Sequence, residues 1–262
     1  MDRVLGVIPA RYASTRFPGK PLAPLGDKSI IEEVWSRARQ ARRIDRLVVA
    51  TDDQRIVDAC ESFGAEVLLT DAAHPSGTDR VAEVVQRVGD DHEVVLNIQG
   101  DEPLITPSSL DRLAAAFDGR PQVEMATLAE PIDEVDDLFD PNVVKVVSAR
   151  DGRALYFSRA PIPYHRGSSG VLATDFRRAL AARPGELAGY RRHQGIYAYR
   201  RETLLSLSRL EPSPLELDEG LEQLRALEAG ISIFVIDSDF RSQGVDTPED
   251  LERVARILTE AH

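Results

Sequence analysis

Three cationic side chains, Arg11, Arg16 and Lys20, are spaced along a stretch of small residues near the start of the sequence. The turn pair Pro18-Gly19 directly precedes Lys20, so the stretch is typical of a loop. Fixed cations and exposed backbone N–H groups are suited to bind a polyphosphate. A solvated basic loop fits the pattern equally well, and the stretch contains neither a Walker A sequence nor Gly-x-Gly-x-x-Gly.

Carboxylates occur at two further places that could do chemistry. Asp101 and Glu102 follow the apolar run 94–98, and acidic oxygens at the carboxyl end of a buried strand can hold a hard cation. A capped turn before a helix near Pro107 would use the same residues. Asp246 stands just before the last helical pattern, where it is either part of the helix start or a second metal ligand.

The charge balance bears on both places. The 262 residues include 44 acidic and 32 basic side chains, and the net charge of −12 argues against general nucleic-acid binding. An anionic ligand would meet a repulsive field, and a divalent cation would offset it.

The composition indicates a globular protein, since 42% of the residues are hydrophobic. No apolar run approaches the roughly 20 residues of a membrane span, and residues 1–4 show no signal-peptide pattern. The single cysteine, Cys60, lies on a core-facing helical stripe and excludes an internal disulfide. We therefore expect a cytoplasmic protein without membrane association.

Alternating strands and helices must position the candidate side chains. Apolar runs predict buried strands at residues 4–8, 47–50, 67–69, 94–98 and 125–128. Amphipathic helical patterns lie between them, which predicts an α/β fold with a parallel sheet. Pro9 is expected to end the first strand, because it has no N–H to donate.

A polar loop at residues 74–80 leads into one of these helices. Thr78 or Asp79 is expected to cap the helix, while backbone N–H groups and Arg80 offer contacts to an anion or a base.

The alternation of strand and helix patterns stops after about residue 131. Runs at 143–148 and 154–158, joined by Asp151-Gly152, predict a β-hairpin. Residues 164–192 have no strong period, which favours a mobile lid or a surface loop. Later patterns predict a strand at 193–199, one helix with Leu217, Leu221, Leu224 and Leu227 inward, a strand at 231–236 and a last helix after Pro248.

Several stretches, taken in order, resemble the family of 3-deoxy-manno-octulosonate cytidylyltransferases, also called CMP-Kdo synthetases. Residues 8–22 are similar to the signature loop of that family. Further similar stretches are at residues 50–53, 76–80, 97–103, 154–160, 193–197, 221–225 and 244–251. Residues 167–190 match none of its motifs.

The resemblance implies an α/β fold of the nucleotide-diphospho-sugar transferase type, with a Rossmann-like mixed sheet flanked by helices and a β-hairpin region for dimerisation or a lid. It implies a single nucleotidyltransferase domain, residues 1–262, with a CTP-binding core at 1–130. A hairpin, lid and dimerisation subregion at 131–212 would follow, and 213–262 would return to the core. Mg²⁺ dependence and a homodimer are implied as well.

The implied reaction transfers CMP from CTP to the anomeric hydroxyl of 3-deoxy-D-manno-octulosonate (Kdo), giving CMP-Kdo and pyrophosphate for lipopolysaccharide synthesis. Such a transfer needs positioning and charge stabilisation more than a protein nucleophile. The sequence agrees, since it offers no credible Ser-His-Asp or Cys-His arrangement. Alternatives are a cytidylyltransferase for 8-amino-Kdo or another acidic sugar, and a non-catalytic nucleotide-binding protein of the same fold.

The resemblance also assigns roles residue by residue. The implied catalytic residues are Lys20, Arg16, Asp101 and Asp246, of which Asp101 and Asp246 would hold Mg²⁺. The implied CTP-binding residues are Pro9, Ala10, Arg11, Arg16, Lys20, Ser76, Gly77, Arg80 and Gln99. The implied sugar-binding residues are Gln99, Arg159, His193, Tyr197, Glu216 and Gln223. His193 would otherwise be interpreted as a satisfied, half-buried histidine in a strand.

Overall fold

A mixed β-sheet forms the centre of the protein. The computed structural model describes residues 2–13, 16–89, 91–164, 173–182 and 184–260, and nine strands of these ranges pair in one sheet. The strands are β1 (Val4–Ala10), β2 (Pro24–Leu25), β3 (Lys28–Ser29), β4 (Arg46–Thr51), β5 (Glu66–Leu69), β6 (Val94–Asn97), β7 (Met125–Pro131), β8 (Lys145–Ser148), β9 (Ala154–Ser158), β10 (Arg191–Arg200) and β11 (Ile233–Asp237). The helices are α1 (Ile30–Ala38), α2 (Gln54–Ser62), α3 (Gly77–Val88), α4 (Pro107–Ala115), α5 (Val135–Phe139), α6 (Ala173–Ala181), α7 (Arg201–Leu207), α8 (Pro214–Glu219), α9 (Gln223–Glu228) and α10 (Pro248–Glu260).

The main sheet has the order β11, β7, β10, β6, β1, β4 and β5, and the β8–β9 hairpin joins it through β10. β1 is parallel to both β4 and β6, whereas β10 is antiparallel to β6 and β7. The predicted α/β class and the mixed sheet are therefore confirmed, and so is the hairpin. Its part in dimerisation stays a prediction. Because β10 lies between β6 and β7, the predicted 131–212 subregion shares a strand with the core sheet.

Alternation along β1 builds an apolar core on each face of the sheet. Successive side chains of a strand point to opposite faces. Ile8 packs in one cluster with Val34 of α1, while Val7 packs in the other with Val81 of α3. The strand is therefore buried on both sides, as its continuous apolar run predicts.

The first strand runs through Pro9 to Ala10, so the prediction that Pro9 ends it is wrong. β6 pairs with β1 as far as Val7, which lies opposite Asn97. Beyond that point β1 pairs with β4 alone, so its other side is a local edge of the sheet. A proline is tolerated at an edge, since no hydrogen bond is required of it there.

Two predictions about helix boundaries are also wrong. Ser76, and not Thr78 or Asp79, caps α3: its backbone is extended and its hydroxyl accepts a hydrogen bond from the N–H of Asp79 at 3.2 Å. The single helix predicted from the leucine pattern is two short helices, α8 and α9. Gly220 ends α8 in the left-handed conformation (φ 61°), so Leu217 falls out of the apolar stripe and is 70% exposed.

Part of the region without a period is packed. α6 and a 3-10 turn (Pro184–Gly189) lie there, and Phe176 and Leu180 are buried with Leu138 of α5 in a third apolar cluster. The surface-loop interpretation is therefore wrong for this part. Residues 165–172 and 183 lie outside the described residues. Among the helices that the structure describes, each falls short of the length and apolar content of a membrane span.

Candidate active site

A cleft of about 430 Å³, the first cleft, opens at the carboxyl end of β1, which is where open α/β sheets bind ligands. It lies between the loop after β1, the first turn of α3 and the residues that follow β6. Its lining residues are Pro9, Ala10, Arg11, Ala13, Arg16, Lys20, Pro21, Gly77, Arg80, Gln99, Gly100, Asp101 and Asp246. All of the predicted catalytic residues and all of the predicted CTP-binding residues except Ser76 are in this set.

Glycine at position 100 makes the cleft possible. A Cβ atom there would lie 2.7 Å from the carbonyl oxygen of Pro9, closer than packed atoms allow. The backbone after β6 therefore passes directly against the end of β1 and brings Asp101 to the loop.

Lys20 joins two carboxylates that are distant in the sequence. Its Nζ atom donates to Oδ2 of Asp101 at 2.6 Å and to Oδ1 of Asp246 at 3.2 Å. Burial alone would lower the pKa of Lys20, but Asp101 and Asp246 outweigh burial and raise it. The ammonium is therefore charged and fixed in place at neutral pH. Arg16 pairs with the other oxygen of Asp246 at 3.0 Å.

The backbone of the loop places Lys20 at this point. Gly19 adopts the left-handed conformation (φ 72°) ahead of the 3-10 turn Lys20–Leu22. Its N–H donates to the carbonyl of Tyr12 at 3.0 Å, which closes the loop on itself. The Pro18-Gly19 turn signal therefore has a structural cause.

The carboxylates of Asp101 and Asp246 are close enough for one ammonium to bond both, so their oxygens can converge on a single cation. Mg²⁺ is commonly bound through one or two carboxylates together with substrate phosphates and water. This donor set fits that pattern. Within the described residues, no group of three or more His, Cys, Asp or Glu side chains could hold a metal without a substrate's help.

Arg80 is fully buried, yet it lines the first cleft. Its guanidinium donates to Oδ2 of Asp52 at 2.8 Å and to the hydroxyl of Thr70, while Nε has no hydrogen-bond partner in the described structure. A buried guanidinium with one donor to spare can bind an acceptor atom of a ligand. Ser76 lies outside the cleft, and its hydroxyl bonds the carboxylates of Asp79 and Glu222.

The second cleft, of about 770 Å³, adjoins the first and shares Arg16 and Asp246 with it. Its lining residues are Arg16, Glu102, Asp137, Asp140, Asn142, Val143, Val144, Arg192, His193, Gly195, Tyr197, Leu221, Gln223, Arg241, Ser242, Gln243, Gly244, Asp246, Thr247, Asp250 and Arg253. The set contains three of the predicted sugar-binding residues: His193, Tyr197 and Gln223.

His193 is held in one orientation at the base of this cleft. Its Nε2 atom lies 2.9 Å from the hydroxyl of Thr127, and its ring contacts Phe157 and Tyr197 with centroids 4.9 and 5.5 Å apart. Burial lowers the pKa of His193 to about 3, so the ring is neutral at physiological pH. A neutral imidazole can exchange hydrogen bonds with a ligand but supplies no charge to it.

Two glutamine side chains line the clefts, Gln99 where the two clefts meet and Gln223 in the second cleft. Gln99 donates from Nε2 to the carbonyl of Gly195 at 2.9 Å and so connects a residue of the first cleft to one of the second. Gln223 is 5% exposed, and its Nε2 atom has no hydrogen-bond partner among the described residues. A buried amide left in this state favours a ligand that accepts its hydrogen bond.

Arg159 and Glu216 line neither cleft, so the structure does not bring them together with the other predicted sugar-binding residues. The guanidinium of Arg159 donates to the carbonyls of Glu219, Pro141 and Gly220 at 2.6, 2.8 and 3.3 Å. Glu216 belongs to the capping box of α8 and accepts two hydrogen bonds from Arg225 at 2.6 and 2.7 Å. Its carboxylate is thereby committed to local structure.

Two further residues line the second cleft: Arg192, which the sequence did not single out, and Glu102, which it grouped with Asp101 as a possible metal ligand. Glu102 separates from its neighbour Asp101: it is buried and accepts a hydrogen bond from the hydroxyl of Ser242 at 2.6 Å. Burial raises the pKa of Glu102 to about 8, although the bond from Ser242 lowers it. Arg192 lies next to His193 and pairs with Asp137 at 2.9 Å. No sequence signal singled out Arg192, because it is the last residue of the stretch 164–192, which has no strong period.

A model of the cytidylyltransferase family matches residues 5–233. The 3-deoxy-manno-octulosonate cytidylyltransferase of Pseudomonas syringae pv. tomato is 52% identical over 257 residues, 96% of each chain. That of Pseudomonas fluorescens is 53% identical, also over 96% of each chain.

A solved structure of CMP:2-keto-3-deoxy-manno-octonic acid synthetase complexed with CTP has the same fold. It is 38% identical to this chain and superposes with a TM-score of 0.87, covering 99% of this chain and 100% of that one. The similarity therefore extends over both clefts and over the elements that build them.

Proposed function

This chain belongs to the 3-deoxy-manno-octulosonate cytidylyltransferase family, and on that premise we propose that it transfers CMP from CTP to the anomeric hydroxyl of Kdo. One observation carries the proposal. Lys20, Asp101 and Asp246 converge in the first cleft from three distant parts of the chain, and the second cleft opens beside them.

In this proposal the first cleft binds CTP. Arg11, Arg16 and Lys20 face the triphosphate, and Arg80 offers its unpaired Nε–H to an acceptor on the cytosine ring. A guanidinium only donates hydrogen bonds, so it suits the acceptor atoms of cytosine. An ion pair with Asp52 at 2.8 Å holds the guanidinium in place.

The second cleft binds Kdo in the same proposal. His193 and Gln223 orient the sugar through hydrogen bonds, and Gln99 stands at the junction where the two substrates meet. The anomeric oxygen forms a bond to the α-phosphorus and its proton passes to water, as the bond from that phosphorus to the β-phosphate oxygen breaks. Pyrophosphate leaves with the electron pair, and the cationic side chains of the loop stabilise the charge that develops.

Asp101 and Asp246 would hold Mg²⁺ beside the phosphates. A bound divalent cation acts as a Lewis acid on phosphoryl oxygens and orients the reacting groups. The two substrates are both anions, and bringing them together would otherwise cost several kcal/mol in a site of low dielectric constant, roughly by Coulomb's law. Mg²⁺ dependence, a homodimer and a role in lipopolysaccharide synthesis are parts of this proposal that rest on the family resemblance. The cytoplasmic location that it includes rests on the single cysteine of the sequence.

A pyrophosphate-release assay tests the proposal. The protein, CTP and Mg²⁺ are incubated with Kdo, with 8-amino-Kdo, with a sialic acid or without sugar. We expect release with Kdo well above the blank. Turnover with an analogue but not with Kdo would make the substrate assignment wrong. No release with any sugar, from protein that still binds CTP, would favour the non-catalytic alternative.

A further inference from the structure

Lys145 is a cation buried completely within the protein, on the first strand of the hairpin. Its Nζ atom donates to the carbonyl oxygens of Asp140 at 2.9 Å, Val143 at 2.5 Å and Arg159 at 2.6 Å. An ammonium group has three N–H donors, so each of them is used. A buried charge is tolerated only when its donors are satisfied in this way.

These three carbonyls belong to two different segments. Asp140 and Val143 lie between α5 and β8, in a stretch whose residues 140 and 142–144 line the second cleft. Arg159 directly follows β9, at the other end of the hairpin. Lys145 therefore ties one wall of the second cleft to the end of β9.

The wall is also joined to the strand that carries His193. The N–H of His193 donates to the carbonyl of Val144 at 2.8 Å, and Lys145 lies opposite Arg192 in the pairing of β8 with β10. A displacement of residues 140–144 would therefore also shift His193 at the base of the cleft.

The hydrogen-bond acceptors of the ammonium are neutral carbonyls, so none of them cancels its positive charge. Arg159 is held in the same manner, by the carbonyls of Glu219, Pro141 and Gly220. Within the described residues, neither of these two cationic groups is bonded to a carboxylate through its charged atoms. By contrast, the ammonium of Lys20 is bonded to two carboxylates.

We propose that Lys145 is a positioning residue for the sugar acid, fixing the wall formed by residues 140–144 and placing behind it a positive charge that offsets the carboxylate of Asp140 in the wall. The inference rests on the proposed function, since it takes the second cleft as the sugar site. An acidic sugar would be attracted by a cation behind the wall, and the attraction is strong where water is excluded.

The protonation state agrees with this role. Burial lowers the pKa of Lys145 to about 8, with the charges of Arg159 and Arg192 acting in the same direction and those of Asp140 and Glu219 opposing it. Most Lys145 side chains are therefore protonated at neutral pH.

The test compares Lys145→Met with Lys28→Met, a matched loss of a lysine that lies outside both clefts and pairs with Glu33. Each variant is assayed for the KM of Kdo at saturating CTP and for the KM of CTP at saturating Kdo. We expect Lys145→Met to raise the KM of Kdo about tenfold, because the wall loses the charge-assisted hydrogen bonds that fix it, and to change the KM of CTP by less than about twofold. Lys28→Met should change neither KM.

A purely structural lysine would give a different result. Lys145→Met would then lower the midpoint of thermal unfolding while both KM values stayed as in the wild type, and the proposal would be overturned. Equal changes in both KM values would overturn it too. Wild-type protein that releases no pyrophosphate with Kdo would instead contradict the proposed function, so the two failures are distinguishable.

A second variant and a measurement on the wild type apply if Lys145→Met does not fold. Lys145→Gln keeps amide donors without the charge and should show the same selective rise in the KM of Kdo. In the wild type, Kdo should slow amide hydrogen exchange in residues 140–145. Equal exchange with and without Kdo, under conditions of demonstrated turnover, would contradict the assignment of this wall.

Discussion

The two clefts share Arg16 and Asp246, but the lysine beside each cleft has different bonding partners. In the first cleft, the ammonium of Lys20 is balanced by two carboxylates, which are themselves suited to a divalent cation. Behind the second cleft, the ammonium of Lys145 is held by three neutral carbonyls. The first arrangement offers two carboxylates that would bind the proposed Mg²⁺, whereas the second places a cation bonded to neutral groups behind the proposed sugar site.

Asp246→Asn gives the largest expected effect, because it removes a charge at the junction of both clefts. We expect the fold to be kept and turnover to fall at least ~100-fold, the size seen when a preorganised electrostatic contact to a transition state is lost. Pyrophosphate release measured across Mg²⁺ concentrations checks this. Asp58→Asn, an exposed position on α2, is the matched control and should leave turnover unchanged. Unchanged turnover and Mg²⁺ dependence in Asp246→Asn would make the metal assignment wrong.

The next largest expected effect is on the free energy of unfolding, and it comes from the neutral side chain of His193. Its pKa in the folded protein, about 3, lies below the ordinary value of about 6.5, so the unfolded chain binds the proton more readily. The resulting stability is complete above pH 6.5 and is lost as the pH falls toward 3. Between pH 7 and pH 5 this group should reduce the free energy of unfolding by about 2 kcal/mol. Urea unfolding of wild type and His193→Gln at both pH values checks this, and an equal pH dependence in both proteins would contradict it.

Lys20→Ala should affect one substrate selectively. We expect the KM of CTP to rise roughly tenfold, the loss of one charged hydrogen bond, with a much smaller change in the KM of Kdo. Steady-state kinetics with each substrate varied in turn gives the comparison. If the KM of Kdo alone rose, the assignment of the first cleft to CTP would be wrong.

Glu216→Gln is expected to have the smallest effect. Burial would raise the pKa of Glu216, but the hydrogen bonds from Arg225 outweigh it and hold the pKa below its ordinary value. The pair therefore stabilises the fold at neutral pH, and this contribution is lost as the pH falls through the folded pKa. Gln keeps the capping box, so we expect a loss of about 1 kcal/mol in the free energy of unfolding and unchanged KM values. A tenfold rise in the KM of Kdo would place Glu216 in the sugar site after all.

The difference between the clefts also explains what could be predicted from the sequence. Much of the first cleft comes from one loop, where Arg11, Arg16 and Lys20 are close in the chain and follow an apolar run that predicts a strand. Once a parallel sheet is predicted, the carboxyl ends of its strands must meet, which brings Asp101 to the same place.

The second cleft is assembled from segments around residues 137–144, 192–197, 221–223 and 241–253, and no local pattern joins them. The resemblance to known enzymes located His193 and Gln223 there. Glu216, which the resemblance assigned to the same site, lies outside the cleft, because it belongs to α8, which ends at Gly220, and no period in the sequence reveals that end. Lys145 was unremarkable in the sequence, since three backbone carbonyls form its site and backbone atoms have no sequence signature.

The ion pair between Arg16 and Asp246 borders both clefts, and this has a thermodynamic consequence. A triphosphate that attracts Arg16, or a cation that attracts Asp246, changes the charge that the neighbouring cleft presents. We therefore expect the two substrates to bind with a coupling free energy. Linkage is reciprocal, so the factor by which CTP changes the affinity for Kdo must equal the factor by which Kdo changes the affinity for CTP.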